Sequence, residues 1–309
     1  MLIVFNPAAG ARRRRRLARA LGTLASAGIL ARVTETLHPG HATQLAREAA
    51  GDGVPIVVAA GGDGTIAEVA AGLAGTAARL GILPFGTANV LAWELGLPPR
   101  PEAAAEVLAG GRAVVLRPGL ARFGDGTERL FVQMLGAGYD AQVVARLDLG
   151  LKRRLGKGAY VLQGLRELTR YRFPQFTAVL DGQAEQVVSA IVSKGRLYAG
   201  RHLLAPAAVP GEAGFQVALF RAGGPIEARA RAALYGAALP LDLLPWLPGV
   251  ELRWARQVVL QGPATVPVQA DGDPAGALPV TVADSPGPIQ VMLPQMVRSR
   301  PGEVGHNQG

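Results

Sequence analysis

Three glycine-rich turns, each lying between an apolar run and a helical stretch, constrain the fold of this chain more than any other feature. They lie at Asn6 to Gly10, Gly61 to Thr65 and Gly86 to Asn89. Short loops between alternating strands and helices predict right-handed βαβ units and a parallel sheet. Parallel strands bring their carboxyl ends to one edge of a sheet, where ligands bind. The sequence therefore predicts a single binding edge built from three turns.

The chemistry of these turns favours an anionic ligand. Backbone N–H groups at glycine turns and at helix N-termini attract phosphate oxygens. Any one of the turns alone is better explained as an ordinary strand-to-helix connection. The three together, with Asp63 embedded among glycines, predict that the turns converge on one nucleotide.

The hydrophobic pattern changes near Pro118, where apolar and polar residues begin to alternate. Such alternation predicts antiparallel strands packed as a β-sandwich. The clearest predicted strands are Phe176 to Leu180, Val187 to Val192 and Phe215 to Phe220. We expect helical inserts at Gly156 to Arg170 and at about Pro225 to Leu239.

Two domains follow from this change of pattern. We predict an α/β nucleotide-binding domain over residues 1–118 and a β-sandwich domain over residues 119–285. The apolar run Ile289 to Leu293 suggests that residues 286–300 return to the first domain.

Composition excludes several classes of protein. Of the 309 residues 49% are hydrophobic and 18% charged, which excludes a disordered chain. The absence of cysteine excludes a disulfide scaffold, a thiolate zinc site, an iron–sulfur cluster and a cysteine nucleophile. A net charge of +9 suits an anionic partner, and five of those charges lie in the run Arg12 to Arg16. Aromatic residues make up only 5%, and no nucleic-acid motif is found, so we expect no nucleic-acid partner.

The arginine run and one apolar segment are the candidates for membrane contact. A solvated helix face is the simplest interpretation of the arginines, although some could reach the phosphates of the predicted nucleotide or an anionic bilayer, at about 1 kcal/mol per residue near the surface. The longest apolar segment, Ala232 to Val250, contains three prolines and Asp242, so it predicts no spanning helix. Within it, Leu239 to Leu247 could touch lipid, with burial against the sandwich as the favoured alternative. No signal peptide is evident, so we expect a cytoplasmic protein, for which the arginine run and the apolar loop are the candidate sites of peripheral membrane association.

The turns also carry a family resemblance. Gly61 to Thr65, followed by Glu68, resembles the GGDGT signature shared by diacylglycerol and sphingosine kinases, NAD kinases and phosphofructokinases. Asn6 to Gly10 and Pro84 to Ala92 are similar to the NPxxG turn and the PxGTxN stretch of the diacylglycerol kinase catalytic family. Further stretches match in the same order: Leu95 to Pro98, Gly138 to Ala141, Arg154 to Gly156 with Tyr160, Tyr198 to Gly200, and Ala270 to Asp273. The resemblance covers nearly the whole chain.

This resemblance implies an α/β domain of the NAD kinase and phosphofructokinase type beside a β-sandwich. It implies transfer of the ATP γ-phosphoryl group to a lipid hydroxyl such as that of diacylglycerol, within phospholipid metabolism. Such chemistry requires Mg²⁺ and a carboxylate that accepts the hydroxyl proton. The implied partners are ATP, a lipid substrate and an anionic membrane surface, and an exposed sandwich edge could support a homodimer.

Site residues follow by matching motif positions. The implied ATP contacts are Asn6, Pro7, Gly10, Thr36, Gly61, Gly62, Asp63, Gly64, Thr65, Thr87 and Asn89. Asp63 is the expected Mg²⁺ or phosphate-organising carboxylate, while hydrogen bonding to its own turn is a compatible alternative. Asp271 and Asp273 match an acidic-Gly-acidic motif that supplies the catalytic base, and we favour Asp271. Taken alone, these two residues and Gly272 would form a hairpin turn.

Three departures from the family pattern bear on activity. Ala67 stands where the family usually has asparagine, and Lys194 replaces another asparagine. The family's late aspartate, part of a structural Mg²⁺ site, is expected within residues 206–217, where this chain has Ala213 beside Glu212. These departures keep a non-catalytic nucleotide- or lipid-binding relative as an alternative. An NAD kinase is the other alternative, disfavoured by the PxGTxN stretch.

Overall fold

The computed structural model describes residues 1–7, 11–148, 150, 156 and 158–295. Its first region contains strands separated by helices, and its second consists mainly of antiparallel strands. The change of hydrophobic pattern near Pro118 therefore corresponds to a change of architecture. Of the segment predicted to return to the first region, residues 296–300 lie outside the described residues.

The first region is built on a six-stranded sheet in the order β2-β1-β3-β4-β20-β5. Its strands are β1 (Leu2–Phe5), β2 (Arg32–Glu35), β3 (Ile56–Gly61), β4 (Arg79–Pro84), β5 (Arg112–Leu116) and β20 (Ile289–Leu293). Five of them run parallel, and β5 pairs antiparallel with β20. The parallel sheet predicted from the alternation is confirmed.

Helices cover both faces of this sheet. They are α1 (Ala11–Ser26), α2 (His41–Gly51), α3 (Asp63–Leu73), α4 (Val90–Glu94) and α5 (Pro101–Gly110). Buried side chains of α2 and α3 pack on one face, and those of α1 and α5 pack on the other. Because both faces are covered, the central strands are continuous apolar runs.

Two boundaries differ from the sequence expectation, for local reasons. α3 begins at Asp63 and not near Ile66, so the glycine turn itself forms the first turn of the helix. β2 begins at Arg32 and not at Ile29, because Gly28 adopts φ 73° and the Ile29 N–H returns to the Leu24 carbonyl. This arrangement is a glycine cap at the end of α1.

The second region contains two six-stranded antiparallel sheets, in the orders β10-β9-β16-β19-β6-β7 and β15-β14-β11-β8-β17-β18. The strands of the first are β6 (Gly119–Phe123), β7 (Glu128–Phe131), β9 (Phe176–Leu180), β10 (Gln183–Val187), β16 (Val258–Gln261) and β19 (Val280–Asp284). Those of the second are β8 (Met134–Gly138), β11 (Ser189–Ser193), β14 (Phe215–Phe220), β15 (Val250–Ala255), β17 (Pro267–Ala270) and β18 (Asp273–Ala277). A further hairpin pairs β12 (Leu197–Tyr198) with β13 (His202–Leu203).

Side chains of both sheets share one apolar core, in which the ring centres of Phe131 and Phe215 lie 6.0 Å apart. Among the described residues, the helices that flank the sheets are α6 (Tyr139–Ala145), α7 (Gly158–Arg170) and α8 (Pro225–Ala238). The single strand predicted over Val187 to Val192 is instead the end of β10 and most of β11. The chain passes from one sheet to the other at Val188, between Val187 at the end of β10 and Ser189 at the start of β11.

The apolar segment after α8 does not form a long helix. α8 ends at Ala238, and two short 3-10 turns follow at Leu239–Leu241 and Leu244–Trp246. Leu244 is buried, whereas Leu241 and Trp246 are 67% and 65% exposed. Across the part of the chain that the structure describes, no helix is both long and apolar enough to cross a membrane.

Candidate active site

Asn6, which begins the first glycine turn, lies beside the second turn because β1 and β3 are adjacent strands. The Asn6 N–H donates to the Ala60 carbonyl at 3.1 Å, and the Asn6 Nδ2 donates to Thr65 Oγ1 at 3.1 Å. A Cβ on Gly61 would overlap the Thr65 side chain, so only glycine fits there. Gly10, predicted to contact ATP, lies outside the described residues.

Asp63 joins the second turn to the third. Its carboxylate accepts hydrogen bonds from the Asn89 N–H at 2.8 Å and the Val90 N–H at 2.6 Å, at the start of α4. Gly62 and Gly86 pack so closely that a Cβ on Gly86 would overlap the Gly62 backbone. Burial raises the pKa of Asp63, while these N–H bonds lower it. Asp63 therefore bonds the neighbouring turn, a variant of the turn-bonding role expected from sequence.

Asn89 closes the third turn with its own side chain. Its Oδ1 accepts from the Gly86 N–H at 2.9 Å, and its Nδ2 donates to the Gly86 carbonyl at 2.8 Å. Its backbone adopts φ 50°, which asparagine tolerates better than most residues. Thr87, at the tip of the same turn, is exposed and lies next to Gly156 of the second region.

The Thr36 loop is tied to the second turn through Glu68 of α3. The Glu68 carboxylate accepts from the Gly40 N–H at 2.9 Å and the Ala42 N–H at 3.1 Å, at the start of α2. The Thr36 N–H donates to the Phe5 carbonyl at 2.9 Å, so Thr36 lies beside the end of β1. Ala67, one residue before Glu68, is buried in the apolar core.

Asp271 lies at the tip of the β17–β18 hairpin and anchors that tip to the backbone at the start of β8. Its carboxylate accepts from three consecutive backbone N–H groups, those of Val132, Gln133 and Met134, at 2.8, 2.8 and 3.0 Å. Burial raises the pKa of Asp271 to about 6, the three N–H bonds oppose this, and the nearby charge of Asp63 adds to it. Ala270 pairs with Asp273 across the turn, so the hairpin turn expected from these residues alone is formed.

Asp273 reaches across the gap between the two regions. A Cβ built on Gly64 would lie 2.7 Å from Asp273 Oδ2, so this carboxylate rests on the glycine turn at the start of α3. The sequence could not distinguish the two hairpin aspartates, but their contacts differ. Asp271 binds backbone of its own region, whereas Asp273 faces the predicted nucleotide turn.

A buried polar chain behind the hairpin was not found from sequence. The Gln269 Oε1 accepts from the Gly272 N–H at 2.8 Å, and its Nε2 donates to Asp140 Oδ2 at 2.8 Å. The Tyr198 hydroxyl donates to Asp140 Oδ1. Asp140 and Tyr198 lie in matched family stretches, and the signal for Gln269 was a polar residue within an apolar strand.

Glu94 at the end of α4 is a second contact that sequence reasoning missed. Its side chain is only 2% exposed, and it accepts from the Leu197 N–H at 2.8 Å and from Arg196 Nε at 3.1 Å. Because α4 begins at the third turn, Glu94 ties the nucleotide edge to the second region.

Three arginines of the run bond groups at the edge of the sheet. Arg13 donates to the Asn6 carbonyl at 3.3 Å, Arg16 donates to the Pro84 carbonyl at 3.1 Å, and Arg14 forms an ion pair with Glu35 at 2.6 Å. These contacts place cationic groups beside the first and third turns. Within the described ranges, no cluster of three or more His, Cys, Asp or Glu residues could hold a metal ion.

Comparisons with known proteins agree with the motifs. Residues 1–120 match the diacylglycerol kinase catalytic domain family. A diacylglycerol kinase of Mycobacterium tuberculosis (strain CDC 1551 / Oshkosh) is 30% identical over 222 residues, which cover 70% of this chain and 69% of the relative. A protein of Stenotrophomonas maltophilia (strain K279a), named probable lipid kinase YegS-like, is 29% identical over 295 residues, or 89% of this chain and 90% of the relative.

A solved diacylglycerol kinase from Bacillus anthracis str. Sterne shares the fold, with a TM-score of 0.75 and 22% identity over 94% of this chain and 96% of that one. Fold, turns and sequence matches together define a two-region kinase. The chain belongs to the diacylglycerol kinase catalytic domain family and is a lipid kinase by class. The resemblance drawn from the motifs is confirmed.

Proposed function

We propose that this protein transfers the γ-phosphoryl group of ATP to the hydroxyl of a lipid such as diacylglycerol. The observation that carries the proposal is the position of the Asp273 carboxylate against Gly64 of the glycine turn. This contact brings a proton acceptor of the second region to the edge where a nucleotide phosphate would lie. Phosphoryl transfer requires this juxtaposition of donor phosphate and base.

ATP would bind at the joined turns, in a nucleotide domain of the NAD kinase and phosphofructokinase type. The N-terminus of α3 begins in the turn that contains Gly62 and Gly64, so its backbone N–H groups and dipole favour phosphate. Asn6, Thr36 and Thr87 lie around the same edge and are proposed as further contacts. Asp63 and Asn89 would act mainly by fixing the turns, since both side chains bond backbone groups there.

Mg²⁺ would accompany ATP. Magnesium usually takes one or two protein carboxylates, with substrate phosphates and water completing its shell. Asp273, whose carboxylate lies against the glycine turn, would supply such a ligand, whereas the Asp63 carboxylate is held by the Asn89 and Val90 N–H groups. When bound, the ion would neutralise phosphate charge.

The contacts favour Asp273 as the base over Asp271, which we favoured from sequence. Three N–H bonds commit the Asp271 carboxylate to its own loop, although its raised pKa of about 6 suits a proton acceptor. We propose that Asp273 accepts the proton of the lipid hydroxyl. The hydroxyl oxygen then bonds the γ-phosphorus, and the bond to the bridging oxygen breaks to release ADP.

Membrane contact would occur through the loop after α8. Leu241, Leu243 and Trp246 are exposed there, and an indole ring suits a membrane interface. Peripheral association with anionic lipid, a cytoplasmic location and a role in phospholipid synthesis form part of the proposal. A homodimer through the sandwich edge is compatible with it.

The direct test is transfer of radiolabel from ATP to a panel of diacylglycerol, sphingosine, ceramide, phosphatidylglycerol and NAD. Label in a lipid, with diacylglycerol among the acceptors, is the expected result. Label in NAD alone would favour the NAD kinase alternative and refute the lipid proposal. Measurable ATP binding without label anywhere would favour a non-catalytic relative. The variant Asp273→Asn serves as the background control for transfer.

A further inference from the structure

A buried lysine lies in the second region, outside the proposed cleft. Lys194 follows β11, and its side chain is 0% exposed. Its Nζ donates to the Glu212 carbonyl at 3.0 Å, the Gly214 carbonyl at 3.0 Å and Asp284 Oδ1 at 2.5 Å. An ammonium has three N–H donors, so all of them are used. The Nζ also lies 4.6 Å from the centre of the Phe215 ring.

This ammonium organises the loop that precedes β14. Two of its acceptors are carbonyls of that loop, and its third is a carboxylate at the end of β19. The other oxygen of Asp284 accepts from the Gly214 N–H at 2.8 Å, where Gly214 adopts φ 87°. A single buried positive charge therefore holds three segments together.

The family resemblance implies a structural Mg²⁺ in this loop, within residues 206–217. Two carbonyls and a carboxylate are oxygen donors that a hard cation prefers, but here all three face the Lys194 Nζ. Ala213, between the two carbonyl residues, supplies no carboxylate. A divalent ion beside a buried ammonium would also meet like-charge repulsion in a site of low dielectric. The residues present do not fit Mg²⁺.

We propose that the Lys194 ammonium is the resident cation of this loop and takes the place of a structural divalent metal. Two departures from the family pattern, Lys194 and Ala213, are then one coupled change. The loss of an acidic ligand is offset by a covalently attached positive charge. Folding of this loop is independent of metal, and Ala213 by itself is no sign of lost turnover.

Thermal unfolding without ATP tests this proposal separately from activity. We expect the melting temperature of the wild-type protein to be the same in EDTA and in excess Mg²⁺, and elemental analysis to find no bound magnesium. Lys194→Met leaves two carbonyls and the partly buried Asp284 carboxylate, 27% exposed, without their cation, and should lower the melting temperature by about 5–10 °C. Leu30→Ser, at a 90% exposed site in the first region, is the control for general effects of substitution.

A second variant keeps the test decisive if Lys194→Met fails to fold. Lys194→Asn combined with Ala213→Asp removes the ammonium and adds a carboxylate, so its melting temperature should rise with Mg²⁺ and fall with EDTA. A wild-type melting temperature that falls in EDTA and recovers with Mg²⁺ would overturn the proposal. So would a Lys194→Met protein that melts like the wild type.

Discussion

Asp63 in the first region and Asp271 in the second have the same structural role. They differ in the separation along the chain between the aspartate and the residues that donate to it. Each is a half-buried residue whose carboxylate accepts backbone N–H bonds from a neighbouring loop. The donors to Asp63 lie 26 and 27 residues away, in the next turn of the same sheet. Those to Asp271 lie 137 to 139 residues away. Each region thus fixes its half of the site with its own aspartate.

Asp273 differs from both because it crosses between the regions and rests on Gly64. The two aspartates of the Asp271-Gly272-Asp273 motif therefore make different contacts although they are close in sequence. Two of the three aspartates hold loops in place, and the third is the proposed base.

Replacement of Asp273 tests whether the carboxylate that contacts the first region is the base. Asp273→Asn removes the proposed proton acceptor, so kcat should fall by about 10²- to 10⁴-fold, the usual contribution of general base catalysis. ATP affinity and melting temperature should change little. Label transfer, calorimetric ATP binding and thermal unfolding measure the three quantities. If Asp271→Asn abolishes transfer while Asp273→Asn retains it, Asp271 is the base and Asp273 is not.

The pH dependence of stability tests the holding role of Asp271. Its pKa in the fold is about 6, above about 3.9 for an unfolded aspartate. Between these values the folded state keeps a proton that the unfolded chain has released, so the free energy of unfolding falls as pH rises. Asp271→Asn lacks this titration. The stability of wild type relative to this variant should therefore decrease by about 2–3 kcal/mol from pH 4 to pH 7.

Denaturant unfolding at several pH values measures this difference. Asp63 is present in both proteins, and because its charge interacts with that of Asp271, the measured difference contains this interaction as well as the titration of Asp271. The same substitution at the exposed Asp52 provides the matched control. A difference that stays constant across the range would show that Asp271 does not titrate there.

The contrast between the regions also explains what sequence could predict. Local signals defined the parallel sheet, because Gly61 is required by its contact with Thr65 of the same turn and Gly86 by its contact with Gly62 of the adjacent turn. They also predicted β14 and β20 with their observed bounds. Contacts between distant segments left no such signal. Glu94 bonding Leu197, Gln269 bonding Asp140, and the fit of Lys194 into a carbonyl cage depend on strand pairing that only the folded chain reveals.

Substitution of Gly64 tests the contact between Asp273 and Gly64 from the first region. Gly64→Ala introduces a Cβ that would lie 2.7 Å from Asp273 Oδ2, so the carboxylate must shift. A displacement of this kind should lower kcat by about 10- to 100-fold, since small misplacements of reacting groups are costly. Stability should hold, because alanine is a good helix residue. Gly51→Ala, in α2 with open space around it, is the matched control. Unchanged turnover in Gly64→Ala would mean that the Asp273–Gly64 contact is not used.

The smallest expected effect concerns the exposed loop of the second region, which has no counterpart in the proposed nucleotide edge. Leu241→Ser with Trp246→Ser removes two side chains that are 67% and 65% exposed. If this loop enters the membrane interface, partitioning to anionic vesicles should fall by about 10-fold, as expected when buried apolar area is lost at about 25 cal/mol per Å². Turnover on a soluble short-chain diacylglycerol should be unaffected. Leu30→Ser, at a 90% exposed site in the first region, should leave vesicle binding unchanged. Equal losses in both variants would assign membrane contact to general surface hydrophobicity and remove this difference between the regions.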